Sequence, residues 1–399
     1  MLAESGPARR LIVAIAGMSS LLTRELCAQI GALDSLLEHG DRVDETLTTI
    51  AEWERFSARD AARRGSEAEE RRRRQREWFE RLHLRVFAEL VRRNFEPGPH
   101  GATGELARAA AARLHLAAAC DEMIPEREHV AVFALGSYAV GEPRITSDVD
   151  LLVVADGVDL PDLTQRLQVV NQWFSDGRIL KLDFRLRAEG ASSPLVQDIA
   201  FYEEYFRGRG SLWERVAMAK CAPWWGGEEV RRRFQKLLRS FAAKAFSPDE
   251  VAQLLEMRRK VESLSPRQFV EWETKRSAGG RYDVEYLCAI GLAGSAKDRL
   301  DYFTMNTRER LSALVDTKVI TAEEALDLQH ALGLFGRIEH YLDLQELTHP
   351  ATEERAEWLA HYLRRTDEFT GVAPGPSLAE AKRRVRAAFD HLASRSARD

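Results

Sequence analysis

The sequence has few cysteines, and they do not form pairs at short spacing. The four cysteines among 399 residues are Cys27, Cys120, Cys221 and Cys288, and none belongs to a C-x-x-C motif. This distribution argues against a disulfide framework and against a cysteine zinc site. It predicts buried free thiols in a reducing compartment, so we expect a cytoplasmic protein.

Long hydrophobic runs are also missing. The apolar stretch Leu11–Met18 is less than half of the roughly 20 residues that a membrane-spanning helix needs. Apolar residues continue it at helical spacing as far as Ile30, and no cleavage site for a signal peptide follows. We therefore expect a helix of a soluble protein here, with no membrane association.

The chain has no excess of positive charge. Its 58 lysines and arginines are outnumbered by 63 aspartates and glutamates, which gives a formal net charge of −5. Binding to nucleic acid by charge alone needs clustered lysine and arginine, so the composition argues against nucleic acid as a partner. Arg71–Arg74 form the densest cluster, but three of these arginines follow glutamates at i,i+4 spacing. That pattern favours a solvated helix face over a phosphate site.

Strand signals divide the chain into three parts. The apolar and charged fractions, 45% and 30%, are those of a globular protein, and the length corresponds to about two or three domains. Strand-forming runs occur only in the middle, whereas helical patterns dominate on both sides. We predict an α+β protein with an N-terminal helical region (1–101), an α/β domain (102–222) and a C-terminal helical bundle (223–399). The bundle is predicted from capping sequences that begin at Ser247, Ser265, Thr321 and Ser377.

A tight turn follows the first predicted strand of the α/β domain. The run Val130–Leu135 ends at Gly136 and Ser137, where backbone N–H groups and a hydroxyl can meet a phosphate. We also expect Ser147, just before the second predicted strand, to bind phosphate together with Gly136 and Ser137.

Two aspartates mark the start of the second predicted strand, Val149–Val154. Asp148 and Asp150 are two residues apart, so on a strand they face the same side, about 6.5–7 Å apart along the chain. Divalent cations would relieve the repulsion between the two carboxylates. Ligands that are all oxygen atoms favour Mg²⁺ or Mn²⁺ over zinc.

A third acid is expected from a neighbouring strand, which we predict over Ile179–Leu186. The two-residue period places Asp183, Arg185 and Arg187 on one face of this segment. Asp183 would complete a catalytic metal site with the first two aspartates. The two guanidinium groups would bind phosphate oxygens of a nucleoside triphosphate.

This order of Gly-Ser, Asp-x-Asp and a later strand aspartate resembles the polymerase-beta-type nucleotidyltransferase superfamily. Further segments, in the same order along the chain, resemble the glutamine synthetase adenylyltransferase and deadenylylase family. They are Asp183–Val196, Trp213–Lys220, Lys275–Tyr286, Asn306-Thr307 and Arg337–His340. The likeness covers roughly residues 75–350.

The resemblance implies a polymerase-beta-like nucleotidyltransferase domain between the two helical regions. It implies an enzyme that uses ATP and Mg²⁺ (or Mn²⁺) to transfer AMP, with Asp148, Asp150 and Asp183 as metal ligands and Asp183 as an alternative general base. The implied target is a tyrosine of glutamine synthetase, so the enzyme would regulate nitrogen assimilation. The signal protein PII is a further candidate partner, although the sequence itself shows no PII or glutamine site.

The direction of transfer stays open at this point. Family members usually carry two nucleotidyltransferase halves, one that attaches AMP and one that removes it. This sequence has one Gly…Asp-x-Asp segment, so we expect at most one of the two activities. The residues around Trp213 lean toward the AMP-removing half, whereas Asp283 leans toward the AMP-attaching half.

Other residues of these segments have less specific interpretations. On a helix, Asp283 and Glu285 point about 200° apart, so both cannot face one ligand. His340 lies among apolar residues at helical spacing, which is typical of a bundle histidine rather than a ligand. Lys220 and Lys275 are candidate contacts for phosphate or for the target.

Two alternative functions remain compatible with the residues. A nucleotidyltransferase of this type could act on RNA, on a small molecule or on another protein. The chain could also be a catalytically silent regulatory binding homologue, although a silent protein has no chemical need for all three acids.

Overall fold

The computed structural model describes residues 103–144, 146–176, 180–190, 193–295, 301–347, 350, 352–370 and 377–396. The predicted N-terminal helical region and Cys27 lie outside the described residues. Within them, the strands occur between residues 130 and 226, and the chain from residue 228 onward is helical. The mixture of helix and sheet agrees with the predicted α+β class.

The described residues form five strands and twelve α-helices, with 3₁₀ turns at Arg127–His129 and Val270–Trp272. The strands are β1 (Val130–Leu135), β2 (Val149–Ala155), β3 (Leu182–Asp183), β4 (Val196–Asp198) and β5 (Cys221–Gly226). The helices are α1 (Thr103–Met123), α2 (Gly136–Ala139), α3 (Leu160–Asp176), α4 (Ile199–Gly208), α5 (Leu212–Ala217), α6 (Glu228–Ala242), α7 (Pro248–Glu262), α8 (Arg281–Leu292), α9 (Thr307–Asp316), α10 (Ala322–Leu344), α11 (Glu353–Thr370) and α12 (Leu378–Ser396).

Strand β1 lies inside a mixed sheet. It pairs antiparallel with β2 on one side, where Phe133 is opposite Leu152, and antiparallel with β5 on the other. Strand β2 continues the sheet through two short parallel partners, β3 at its start and β4 at its end. Every residue of β1 is buried, which explains why this strand reads as a continuous apolar run rather than an alternating one.

The two faces of the sheet belong to two hydrophobic cores. On one face, Val132 packs in a core with residues of α1 and α3 such as Leu167. On the other face, Phe133 belongs to a core that continues into the helical bundle as far as Leu287 and Phe335. The sheet and the bundle therefore share one core, which fixes the orientation of the bundle relative to the sheet.

Two boundaries in the α/β region differ from the predicted ones. The strand predicted over Ile179–Leu186 is restricted to Leu182–Asp183 within the described residues, because the chain turns away from the sheet after Asp183. The predicted domain boundary at residue 222 falls inside β5, which pairs with β1 as far as Gly226. A local side-chain pattern can indicate a strand, but only pairing with a neighbouring strand decides where it ends.

Three of the four predicted helix starts in the bundle are confirmed. Ser247 and Thr321 cap α7 and α10 with complete capping boxes, and the hydroxyl of Ser377 accepts a hydrogen bond from the backbone N–H of Glu380. The fourth prediction was wrong, because the chain bends after Ser265 instead of entering a helix. Cys120, Cys221 and Cys288 are buried free thiols, as predicted. None of the described helices has the length and apolar character of a membrane span.

Candidate active site

The acids predicted from the sequence meet where the beginning of β2 pairs with the two-residue strand β3. Register pairing places Asp150 of β2 directly beside Asp183 of β3, and paired strands lie about 4.8 Å apart. Asp148 immediately precedes β2, and its charge, like that of Asp183, acts on Asp150. Three carboxylates from two adjacent strands therefore share one edge of the sheet.

Asp150 is the acid with the least compensation of its charge. Burial raises the pKa of its carboxyl group, repulsion from Asp183 and Asp148 raises it further, and the resulting pKa is about 6. Positive charge from Lys275 and Arg185 lowers the pKa but does not restore the ordinary value. A carboxylate in this environment is stabilised in its charged form by an additional cation.

The other two acids each contact a basic side chain. Lys181 donates from Nζ to Oδ2 of Asp148 over 2.6 Å. Arg185 donates to Asp183 from its backbone N over 2.8 Å and from Nε over 2.7 Å. Burial acts to raise the pKa of Asp183, but these hydrogen bonds from Arg185 lower the pKa below its ordinary value. Arg185 remains mostly exposed, so its charged end faces solvent beside the acids.

The three acids offer oxygen donors, which are the ligands that a divalent cation such as Mg²⁺ prefers. Among the described residues, no three metal-ligating side chains already converge on one point. Asp148 and Asp183 instead point to Lys181 and Arg185, which supply the positive charge that these carboxylates require. Oxygen ligands from three crowded carboxylates are what Mg²⁺ or Mn²⁺ binds in proteins.

The predicted glycine turn lies against the acids. Gly136 follows β1 directly and begins α2 with a φ of 62°, a left-handed conformation that glycine adopts without steric cost. A Cβ atom at this position would lie 3.4 Å from Oδ2 of Asp150. The backbone N–H of Gly136 donates to the carbonyl of Lys220 over 3.0 Å, which fixes the turn. The next residue, Ser137, is half-buried on the first turn of α2.

Ser147 and Arg187, two further candidates for phosphate binding, form hydrogen bonds with backbone groups near them in the sequence. The hydroxyl of Ser147 accepts a hydrogen bond from the backbone N of Arg144 over 3.0 Å. The Arg187 guanidinium donates to the carbonyl of Ser193, over 3.0 Å from Nε, and to the carbonyl of Phe184. Phosphate binding by Ser147 and Arg187 stays a prediction.

The structure adds side chains from outside the predicted motif. Lys220 donates to Glu285 of α8 over 3.1 Å. Glu285 is partly exposed; its partial burial acts to raise the pKa of its carboxyl group, but Lys220 and Lys275 lower this pKa below its ordinary value. The charge of Lys275 also acts on Asp150, so α8 and the segment before it face the acids. The sequence indicated the two lysines and the two acids of α8, but not Lys181. Lys181 was detectable, because it is two residues before Asp183 on the same alternating segment.

The two acids of α8 do point apart, as the helical spacing predicted. Asp283 is fully buried and accepts hydrogen bonds from Nε of Arg258 over 2.6 Å and from the N–H of Gly279 over 2.7 Å. Glu285 contacts Lys220 instead. Asp283 therefore stabilises the bundle, whereas Glu285 faces the site.

Comparisons with known proteins agree with the resemblance. The sequence profile of the glutamate-ammonia ligase adenylyltransferase family matches residues 9–237, more than half of the chain. The chain is 29% identical over 263 residues to the bifunctional glutamine synthetase adenylyltransferase/adenylyl-removing enzyme of Mycobacterium tuberculosis. It is 31% identical over 266 residues to the enzyme of the same name from Nocardia farcinica. Each match covers 64% of this chain and 26% of the relative, so the chain spans about a quarter of the length of these curated relatives.

Proposed function

Because this chain belongs to the glutamate-ammonia ligase adenylyltransferase family, we propose that it attaches AMP to, or removes AMP from, a tyrosine of glutamine synthetase. The observation that carries this proposal is the pairing of Asp150 with Asp183 across β2 and β3. Asp148 and the Gly136 turn complete the arrangement that a nucleotidyltransferase needs, with acids beside a phosphate-binding backbone. ATP is the proposed nucleotide in the attaching direction.

The two directions differ in the group that attacks phosphorus. In attachment, the tyrosine hydroxyl oxygen bonds to the α-phosphorus of ATP, the bond to the bridging oxygen breaks, and pyrophosphate leaves with the electron pair. In removal, an oxygen of inorganic phosphate bonds to the phosphorus of AMP-tyrosine, ADP forms, and the tyrosine oxygen leaves and takes up a proton. Both directions use the same acids, so the acids support the reaction class and not its direction.

The side chains of the site have separate roles in this proposal. Asp148, Asp150 and Asp183 would hold Mg²⁺ (or Mn²⁺), which supplies positive charge to the phosphate oxygens when bound. Asp183 is also the candidate acceptor for the hydroxyl proton. Arg185 forms hydrogen bonds with Asp183 and lowers the pKa of its carboxyl group. When nucleotide binds, we expect the guanidinium to move from this carboxylate to phosphate oxygens, because Asp183 would then hold the metal.

The remaining assignments concern phosphate binding and cellular context. We assign phosphate contacts to Gly136, Ser137, Ser147, Arg185 and Arg187, since such transfers depend mainly on positioning and charge stabilisation. The buried free thiols support a reducing compartment, and we place the protein in the cytoplasm with glutamine synthetase. PII is proposed as a partner only by resemblance.

A pair of labelling reactions tests the proposal. The protein is incubated with ATP labelled in the α-phosphate, Mg²⁺ and glutamine synthetase, and separately with AMP-modified synthetase and inorganic phosphate. Asp150→Asn should abolish whichever reaction occurs, because it removes a charge shared by the metal site. Asp156→Asn is the matched control, since Asp156 lies just beyond the other end of β2 and pairs with Arg233.

Each outcome has a distinct meaning. Label transfer to or from the synthetase that is lost only in Asp150→Asn supports the proposal and determines the direction. Transfer of label to RNA, to a small molecule or to another protein would replace the target while keeping the reaction class. Tight binding to the synthetase without turnover in either reaction would overturn the enzymatic proposal in favour of a regulatory binding role.

A further inference from the structure

Two helices of the bundle, α9 and α10, form hydrogen bonds with one loop of the α/β region. The described residues of this loop, 141–144 and 146–147, lie between α2 and β2 and are called here the active-site loop. At its beginning, the carboxylate of Glu142 accepts two hydrogen bonds from Thr307, over 2.9 Å from the backbone N and 2.6 Å from Oγ1. Thr307 is the first residue of α9. The beginning of the active-site loop is thus attached to a helix 165 residues further along the chain.

The end of the active-site loop is attached to α10. Nε of Arg144 donates to Oδ2 of Asp343 over 3.0 Å, and a second guanidinium nitrogen donates to Oδ1. The hydroxyl of Thr146 donates to the same carboxylate over 2.9 Å. Asp343 is only 2% exposed, so its charge depends on these partners. The carboxylate raises the pKa of Arg144 although burial acts to lower it.

A second buried acid on α10 extends this contact to α8. Glu339 is 3% exposed and lies 4.0 Å from the Arg144 guanidinium. It also accepts hydrogen bonds from Nε of Arg281 and from the hydroxyl of Thr274, each over 2.8 Å. Glu339 thus links the segment from Thr274 to Arg281 with the active-site loop, although these parts lie far apart in the sequence.

We propose that Arg144 is a positioning residue, which holds the active-site loop on α10 and thereby sets Asp148 and Asp150 against the Gly136 turn. This inference rests on the proposed function for its catalytic meaning. The connection from Arg144 to the acids is short, since Asp148 follows Arg144 by four residues. The Ser147 hydroxyl also accepts a hydrogen bond from the Arg144 backbone, which restricts this connection further. Asp343 is the buried member of this pair, and moving Arg144 away would leave its carboxylate without that positive charge. The contact therefore favours one position of the loop.

The experiment measures metal binding as well as turnover. Arg144→Met removes the charge but keeps most of the stem, and Asp343→Asn keeps the shape of the partner. We expect both to weaken the binding of Mn²⁺, titrated alone against the full chain, by at least about 10-fold. Since a displacement of about 1 Å can cost roughly 100-fold in rate, we expect kcat to fall about 10- to 100-fold with little change in KM for the target.

The matched control is Arg384→Met. Arg384 also pairs with an aspartate of α10, Asp327, but this pair lies between α12 and α10 and does not contact the active-site loop. The control should bind Mn²⁺ like the wild type. Arg144→Lys should recover part of the Mn²⁺ affinity, and the double variant Arg144→Met, Asp343→Asn should be no weaker than either single variant, because both remove one contact.

The outcomes separate this inference from the proposed function. If Arg144→Met and Asp343→Asn lower only the unfolding temperature and bind Mn²⁺ like Arg384→Met, the positioning role is wrong. If the wild type transfers no AMP but both loop variants lose Mn²⁺ affinity, the positioning role stands while the proposed reaction fails. A folded Asp343→Asn protein keeps the test decisive even if Arg144→Met does not fold.

Discussion

Single residues at the site show how its charge is balanced. Lys181 contacts Asp148 and Arg185 contacts Asp183, whereas burial and then repulsion from both neighbouring acids raise the pKa of Asp150. The positions of the acids could be predicted, because the two-residue period of a strand is a local property of the backbone. The contact between Lys181 and Asp148 could not, because it depends on the pairing of β2 with β3 across 33 residues.

Gly136→Ala tests the glycine turn at this scale. A left-handed φ in a residue with a side chain costs about 1 kcal/mol, and the added methyl group would contact Oδ2 of Asp150. We expect a loss of about 1 kcal/mol in the free energy of unfolding and a drop of at least about 10-fold in AMP transfer. Chemical denaturation and the labelling reaction measure the two effects.

Gly157→Ala is the matched control for this substitution. Gly157 has a similar φ of 70°, but a Cβ atom there would meet nothing within 4 Å. The stability loss should therefore be similar, while AMP transfer stays at the wild-type level. Equal losses of transfer in both variants would show that backbone strain alone, and not contact with Asp150, explains the effect.

Individual elements differ in how well local patterns predicted them. The capping boxes of α7 and α10 are complete within four residues, so they were visible in the sequence. Strand β3 was predicted too long, because alternation continues past Asp183 although the strand itself ends there. Around Ser265 a capping pattern is present, but Phe269 takes a left-handed φ of 56° and the chain bends.

The two acids of α8 give a prediction at the scale of one element. Asp283→Asn should lower the free energy of unfolding by about 3–5 kcal/mol, because it removes the nearer carboxylate partner of the buried Arg258 and leaves the more distant one of Glu262. Glu285→Gln, two residues further along the same helix, should change it by less than about 1 kcal/mol, since that pair with Lys220 is partly exposed. Urea denaturation of both variants measures the difference, and equal losses would contradict the assignment of opposite roles.

The whole molecule brings its segments together through packing rather than through sequence proximity. The last helix, α12, lies against the turn that precedes α8, and a Cβ atom on Gly279 would come within 2.1 Å of the Lys382 carbonyl. The same turn carries Thr274 and leads into Arg281, which support Glu339 beside the active-site loop. The bundle therefore contributes to the site from three distant segments.

The environment of His340 should make the stability of the whole molecule depend on pH. Burial lowers the pKa of its imidazole to about 4, against an ordinary value near 6.5. Among the described residues its Nε2 has no hydrogen-bond partner. Because the unfolded state takes up a proton between pH 6.5 and 4 and the folded state does not, stability falls as pH falls through this window.

The His340→Leu variant isolates this contribution. Between pH 7.5 and pH 5, the wild type should lose about 2 kcal/mol more of its free energy of unfolding than the variant. Urea denaturation of both proteins across this range measures the difference. Parallel curves would mean that the folded protein accepts the proton on His340 without cost.

The sequence by itself determined the positions of the three acids and the local elements. Asp148, Asp150 and Asp183, the turn at Gly136 and most helix starts depend on spacings of a few residues, which the backbone converts directly into shared faces and caps. Only the tertiary structure decided how far β3 extends, which acid of α8 faces the site, and that Arg144 meets Asp343 and Glu339. These features join residues up to 199 positions apart, and such contacts follow from the shared core of sheet and bundle rather than from any local pattern.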